Sequence, residues 1–205
     1  MQPDSQSGQV TTMTVAWTSF SVTDPQSDTK TFTPRDFSEP AFLDSGTSLT
    51  YLPADLFEQV ASVFEVIDYD DPEFFPGLVD CEVFDDYKGT INFGFGGSGG
   101  PVISVPLSQL ALPFLDSKGN PKNFSNSTPA CQFGLAPLTE DFPIVLGDTF
   151  LRSAYVVYDL DNKQIAIAPT IVNTTESNIV EIGQGDAAPT WKVTNTVAAI
   201  GLLGI

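Results

Sequence analysis

The sequence has no histidine, two cysteines, and eight basic residues against 26 acidic ones in a chain of 205. Without histidine, Ser-His-Asp and Cys-His nucleophilic catalysis are excluded, and so is the commonest zinc ligand. General acid–base chemistry must then come from carboxylates, lysine or tyrosine. The formal charge of −18 repels nucleic acid and anionic membrane surfaces, so neither is expected as a partner. Cys81 and Cys131 are too few and too far apart for a zinc cluster. The acids of residues 65 to 86 (Glu65, Asp68, Asp70, Asp71, Glu73, Asp80, Glu82, Asp85 and Asp86) do not follow calcium-loop spacing and read as a solvated face. Gly96-Gly97-Ser98-Gly99-Gly100 is not closed by Gly-Lys-Ser/Thr, so it reads as a hairpin turn and not a phosphate cradle. No metal and no cofactor are expected. The apolar stretch Val197 to Ile205 is too short to span a bilayer. Met1-Gln2-Pro3-Asp4-Ser5 has neither the basic start nor the apolar core of a signal peptide.

With 41% hydrophobic and 17% charged residues, the chain is of the globular class and long enough for one domain with its own core. The patterning is mostly β. Val15 to Val22 is rich in strand formers, and Phe32 to Phe37 reads as a return strand broken by Pro34. Thr90 to Phe95 alternates like a half-buried strand, followed by Val102 to Val105 across the glycine turn. Gln132 to Ala136 and Ile144 to Leu146 are further strands. Ala154 to Leu160 and Gln164 to Ala168 form a hairpin around Asp161-Asn162. One helix stands out: Leu56, Phe57, Val60, Ala61 and Phe64 fall on one face after Pro53, with Asp55 near the positive end of the dipole.

One stretch carries chemistry. In Ala41-Phe42-Leu43-Asp44-Ser45-Gly46-Thr47-Ser48-Leu49-Thr50-Tyr51-Leu52-Pro53 an apolar strand leads into an acid, a hydroxyl, a glycine and two more hydroxyls. Gly46 is read as the residue whose backbone freedom lets the strand turn. The hydroxyls can bond the carboxylate and fix its direction. This run resembles the Asp-Thr/Ser-Gly signature of pepsin-like aspartic proteases, in the form found in their C-terminal lobe. A second block, Phe142-Pro143-Ile144-Val145-Leu146-Gly147-Asp148-Thr149-Phe150-Leu151-Arg152-Ser153-Ala154-Tyr155-Val156-Val157-Tyr158-Asp159, agrees with it. There Val145-Leu146-Gly147 matches the family's element beside the catalytic loop. The likeness covers roughly residues 9 to 169, with residues 1 to 8 read as a disordered N-terminus and 170 to 205 as a partly disordered tail.

The resemblance implies a lobe built as a closed or orthogonally packed antiparallel β-barrel with one or two short helices. It implies Asp44 as a catalytic aspartate, with Ser45, Gly46, Thr47 and Gly147 supporting its loop. It also implies an aspartic endopeptidase of the secreted fungal type, acting on peptides through an activated water. Such chemistry needs two aspartates, one from each lobe. The sequence holds no second Asp-Thr/Ser-Gly: Asp116-Ser117-Lys118-Gly119 has the wrong third residue, and Asp148 follows Gly147 instead of preceding a glycine. The expected partner is therefore an N-terminal lobe, and the chain by itself is expected to be inactive. The alternative is a non-catalytic pepsin-like protein that binds peptides.

Three Asn-X-Ser/Thr sequons, at Asn123, Asn126 and Asn173, point to glycosylation and a secreted or cell-surface location, which fits the N-terminus only if the chain is part of a longer protein. The two cysteines are either free buried thiols or a disulfide closing a loop of about fifty residues, worth about 4 kcal/mol in the chain-entropy model. The sequons favour the disulfide, and the family carries one in this lobe. Residues 183 to 205 are compared with a lipid-anchor signal of small residues, polar spacer and apolar tail; a disordered or docked terminus is the competing reading.

Overall fold

The structure is a computed structural model that describes residues 13–67, 75–139, 142–160, 162–171 and the backbone of 201–203. In chain order the strands are β1 (Thr14–Thr23), β2 (Thr29–Thr31), β3 (Glu39–Leu43), β4 (Thr50–Leu52), β5 (Leu78–Asp80), β6 (Thr90–Phe95), β7 (Val102–Pro106) and β8 (Ala111–Pro113). They continue with β9 (Ala130–Phe133), β10 (Leu135–Pro137), β11 (Ile144–Leu146), β12 (Ala154–Asp159), β13 (Gln164–Pro169) and β14 (Gly201–Leu203). The helices are α1 (Ala54–Val63), α2 (Cys81–Asp86) and α3 (Asp148–Leu151).

The largest sheet runs β10-β4-β11-β3-β1-β6-β7, with β2 paired to β1. Its long strand β1 buries Val15, Trp17, Phe20 and Val22. That set spans both parities of a strand, and strict alternation could not place it on one face. A register shift between Trp17 and Ser19 against β6 resolves this, because a bulge resets the alternation and lets Trp17 and Phe20 both point inward. Trp17 packs edge-on to Phe20 and Phe37, at ring distances of 5.6 and 5.0 Å. Phe93 joins the cluster and lies 5.0 Å from Phe150 on α3. The aromatic core thus anchors the helical turn that follows Gly147.

Helix α1 forms where the periodicity places it. Leu56, Phe57, Val60 and Ala61 are buried, and the Pro53 carbonyl accepts the first helical N–H groups from Leu56 and Phe57. Strands β6 and β7 and the β12–β13 hairpin also lie where the sequence pattern sets them. Asp159 closes the hairpin turn by accepting the Asn162 N–H at 3.0 Å.

Other segments differ. The return strand is Thr29–Thr31, and 32–37 is irregular. Phe32 and Phe37 suggest a strand only because both serve the aromatic cluster from a loop. The acidic run conceals β5 and α2. The Asp80 carboxylate caps α2 by accepting the N–H groups of Glu82 and Val83, and Phe84 is buried. Glu65, Glu82, Asp85 and Asp86 face solvent, as read; Asp68, Asp70, Asp71 and Glu73 lie outside the described residues. Gln132 to Ala136 is divided at Gly134 into β9 and β10.

Cys81 and Cys131 form a disulfide with Cα atoms 5.2 Å apart. It ties the start of α2 to β9 beside the β5–β9 pairing, in which Val79 faces Cys131. Residues 1–8, the Asn173 sequon and most of the tail lie outside the described residues. Of the tail, the backbone of β14 pairs antiparallel with β13. Among the described residues no helix is long and apolar enough to cross a membrane.

Candidate functional site

The sheet is not wholly antiparallel, and its parallel pairs lie at Asp44. β11 is inserted between β3 and β4, parallel to β3 with Leu146 opposite Leu43, and antiparallel to β4 at Val145 and Tyr51. β10 runs parallel to β4 on the far side. The chain leaves β3 at Leu43, makes the loop 44–49, and returns as β4 with β11 threaded between the two arms. The loop is therefore fastened to Gly147–Thr149 along its length. Asp44 N–H donates to the Leu146 carbonyl at 3.1 Å, Asp148 N–H to Thr47 at 2.7 Å, and Thr149 N–H to Ser48 at 3.1 Å.

Below the loop lies a buried polar network. Thr50 and Thr149 are fully buried, and their hydroxyls meet at 3.0 Å. The Thr149 hydroxyl also lies 2.9 Å from the Gly134 carbonyl, which accepts the Thr50 N–H at 3.2 Å. A buried network with its donors and acceptors paired makes the loop base rigid.

Asp44 is half-buried at the mouth of this assembly, while Ser45, Gly46 and Ser48 are exposed. Its carboxylate accepts the Gly46 N–H at 2.9 Å on Oδ1 and the Thr47 hydroxyl at 2.5 Å on Oδ2. Those two donors, Thr47 first, hold the Asp44 carboxyl below the ordinary carboxylate value of 3.8. The folded state thus favours the ionised form. That contribution is present above the ordinary value and is lost as pH falls through the lowered one. Replacing Thr47 with valine is expected to raise the Asp44 pKa toward 3.8, read from the carboxyl-carbon NMR titration. An unmoved titration would mean that the hydroxyl does not govern the group.

The glycines act by space and not by angle. Gly46 does not occupy the left-handed region, contrary to the reading from sequence. Its N–H is turned onto Asp44, and a Cβ there would crowd Asp44 Oδ1 at 3.2 Å. Gly147 also has an ordinary φ of −87°, but a Cβ would come within 2.5 Å of the Thr47 carbonyl and closer still to that of Leu49. The structure thus brings Asp44, Gly46, Thr47 and Gly147 together, with Ser45 at the exposed tip. Asp116 stands apart and closes its own turn by accepting the N–H groups of Lys118 and Asn120. Tyr158 was missed as a neighbour of Asp44. Its hydroxyl lies 3.5 Å from the Leu43 carbonyl, and no local pattern signals that approach across 115 residues. Among the described residues no group of three or more potential ligands is placed to hold a metal ion.

A carboxylate on the loop that follows β3, its pKa lowered by that loop's own donors and its loop tip exposed, suits acid–base chemistry. Residues 2–170 match the family model described as eukaryotic aspartyl protease, and the chain belongs to that family. It is similar to the probable aspartic-type endopeptidase OPSB of Arthroderma benhamiae, 43% identical over 149 residues, which are 70% of this chain and 28% of that protein. It is similar to aspartic proteinase 3 of Saccharomyces cerevisiae, 36% identical over 77% of this chain and 24% of the relative. It is also similar to secreted aspartic protease 3 of Candida albicans, 39% identical over 68% of this chain and 31% of the relative. The chain spans about a third or less of the length of these curated relatives.

Proposed function

We propose that this chain forms the C-terminal lobe of an aspartic endopeptidase and supplies Asp44 as one of two catalytic aspartates. The observation that carries the reading is the Asp44 carboxylate itself, fixed by Gly46 and Thr47 on a loop braced by Gly147 and left open on its outer side. The second aspartate comes from an N-terminal lobe facing this one. Exposed Tyr155, Tyr158 and Leu160 on and just after β12 support a covering partner, since Tyr158 reaches the strand that bears Asp44.

Two carboxylates about 3 Å apart do not both ionise, so one carries the proton that the other lacks. The ionised member takes a proton from water as the water attacks the peptide carbonyl, and the protonated member donates to the carbonyl oxygen. The low pKa of Asp44 suits the ionised role. Ser45 bonds the opposing loop, a role that its exposure at the loop tip supports.

The enzyme is secreted or held at the cell surface. The Cys81–Cys131 disulfide, the exposed Asn123 and Asn126, and the name of the Candida relative support this. Asn126 lies in a turn where its side-chain oxygen accepts the Thr128 N–H and hydroxyl, leaving its amide nitrogen available for a glycan.

The test is proteolysis of an unfolded protein substrate at acid pH. The chain joined to an N-terminal lobe is expected to cleave it, and the chain alone is not. Equal activity with and without that lobe would overturn the reading.

A further inference from the structure

The peptide group linking Leu43 to Asp44 meets a partner at each end, a 3.1 Å hydrogen bond at its N–H and a looser 3.5 Å approach at its carbonyl. Its N–H belongs to Asp44 and donates to the Leu146 carbonyl on β11. Its carbonyl belongs to Leu43, which lies beyond the β1 ladder, since that ladder ends at the pairing of Phe42 with Thr14. The Tyr158 hydroxyl approaches this carbonyl from a different sheet, at 3.5 Å. A peptide unit is planar, so holding both of its polar ends fixes its rotation and with it the direction in which the next side chain leaves the backbone.

We propose that Tyr158 is a positioning residue for Asp44: by donating to the Leu43 carbonyl while Leu146 accepts from the Asp44 amide, it locks the peptide plane that aims the catalytic carboxylate. This inference rests on the proteolytic reading of Asp44. Tyr158 is placed for the task by the β12–β13 hairpin, where it pairs with Ile165, a fully buried residue, so its backbone is held from the core side. Partial burial of the ring, and then the negative charge of Asp44, push the Tyr158 phenol above its ordinary value of 10.0. The hydroxyl therefore remains a donor throughout the acid and neutral range. Two charged groups near the loop are engaged with each other: Asp148 on α3 and Arg152, which follows that helix, form an ion pair at 2.5 Å. Neither replaces a neutral donor to Leu43.

The experiment compares Tyr158→Phe and Tyr158→Leu in the two-lobed protease, with Asp44→Asn as control. A misaimed carboxylate impairs the chemical step more than substrate binding. Tyr158→Phe keeps the ring and removes only the donor. It is expected to lower kcat by about tenfold while KM stays within about twofold. Wild-type kcat in Tyr158→Phe, with loss confined to Tyr158→Leu, would show that the ring merely packs and would overturn the inference. In that event an inactive Asp44→Asn leaves the protease reading standing. An active Asp44→Asn would overturn both.

Discussion

On the proposed reading, in which Asp44 takes the proton from the attacking water, Asp44→Asn is expected to lower kcat of the chain joined to an N-terminal lobe by at least about 10³-fold. The change is close to isosteric, so the loop should keep its shape. Gly46 N–H can donate to the remaining amide oxygen, and the Thr47 hydroxyl can rotate from donor to acceptor for the new amide nitrogen. The expected signature is thus a dead enzyme that still unfolds cooperatively, its midpoint lowered only by loss of the ionised carboxylate's contribution. Activity within a few-fold of wild type would remove Asp44 from the mechanism. A variant that unfolds would leave its loss of turnover unrelated to chemistry, and the chemical-denaturation curve separates these cases.

Gly147→Ala is expected to destabilise the chain by about 3 kcal/mol and to lower turnover along with stability. The added methyl meets the carbonyls of Thr47 and Leu49, and both are backbone atoms of the Asp44 loop. A flexible side chain could swing aside at little cost; these carbonyls cannot. The Thr47 carbonyl is held by Asp148 N–H at 2.7 Å, and its neighbour Ser48 by Thr149 N–H. Relief of the clash therefore has to part the two segments that hold the site together. Urea unfolding measures the cost. A loss below about 0.5 kcal/mol, the range of an ordinary surface substitution, would show that the loop and Gly147 are not packed as described.

The site was legible where its parts are contiguous. The run from Ala41 to Pro53 carries the strand, the acid and its two donors within a few residues, and these contacts are local: Gly46 and Thr47 reach Asp44 from two and three positions away. Helix α1 was legible for a similar reason, since its buried face follows from spacing alone. Contacts that depend on distant segments were not. The Thr50–Thr149 hydroxyl pair spans 99 residues and the approach of Tyr158 to Leu43 spans 115, and neither leaves a periodic trace. The resemblance did imply that Val145-Leu146-Gly147 lies beside the Asp44 loop, but the insertion of β11 between β3 and β4 with parallel pairing is a property of topology and not of pattern. Gly46 shows a subtler gap. Its presence was legible, but its reason was misread as backbone freedom when the fold requires room beside a carboxylate. Helix α2 was lost because Asp80, its capping residue, looks like one more member of an acidic run.

The most direct measurement is the position of a peptide inhibitor bearing a hydroxyl at the scissile centre, bound to the two-lobed enzyme and located by crystallography. The predicted result is that hydroxyl within about 2.6–3.2 Å of the Asp44 carboxylate and of a second aspartate from the facing lobe. A hydroxyl bound elsewhere, with the Asp44 carboxylate turned to solvent, would contradict it.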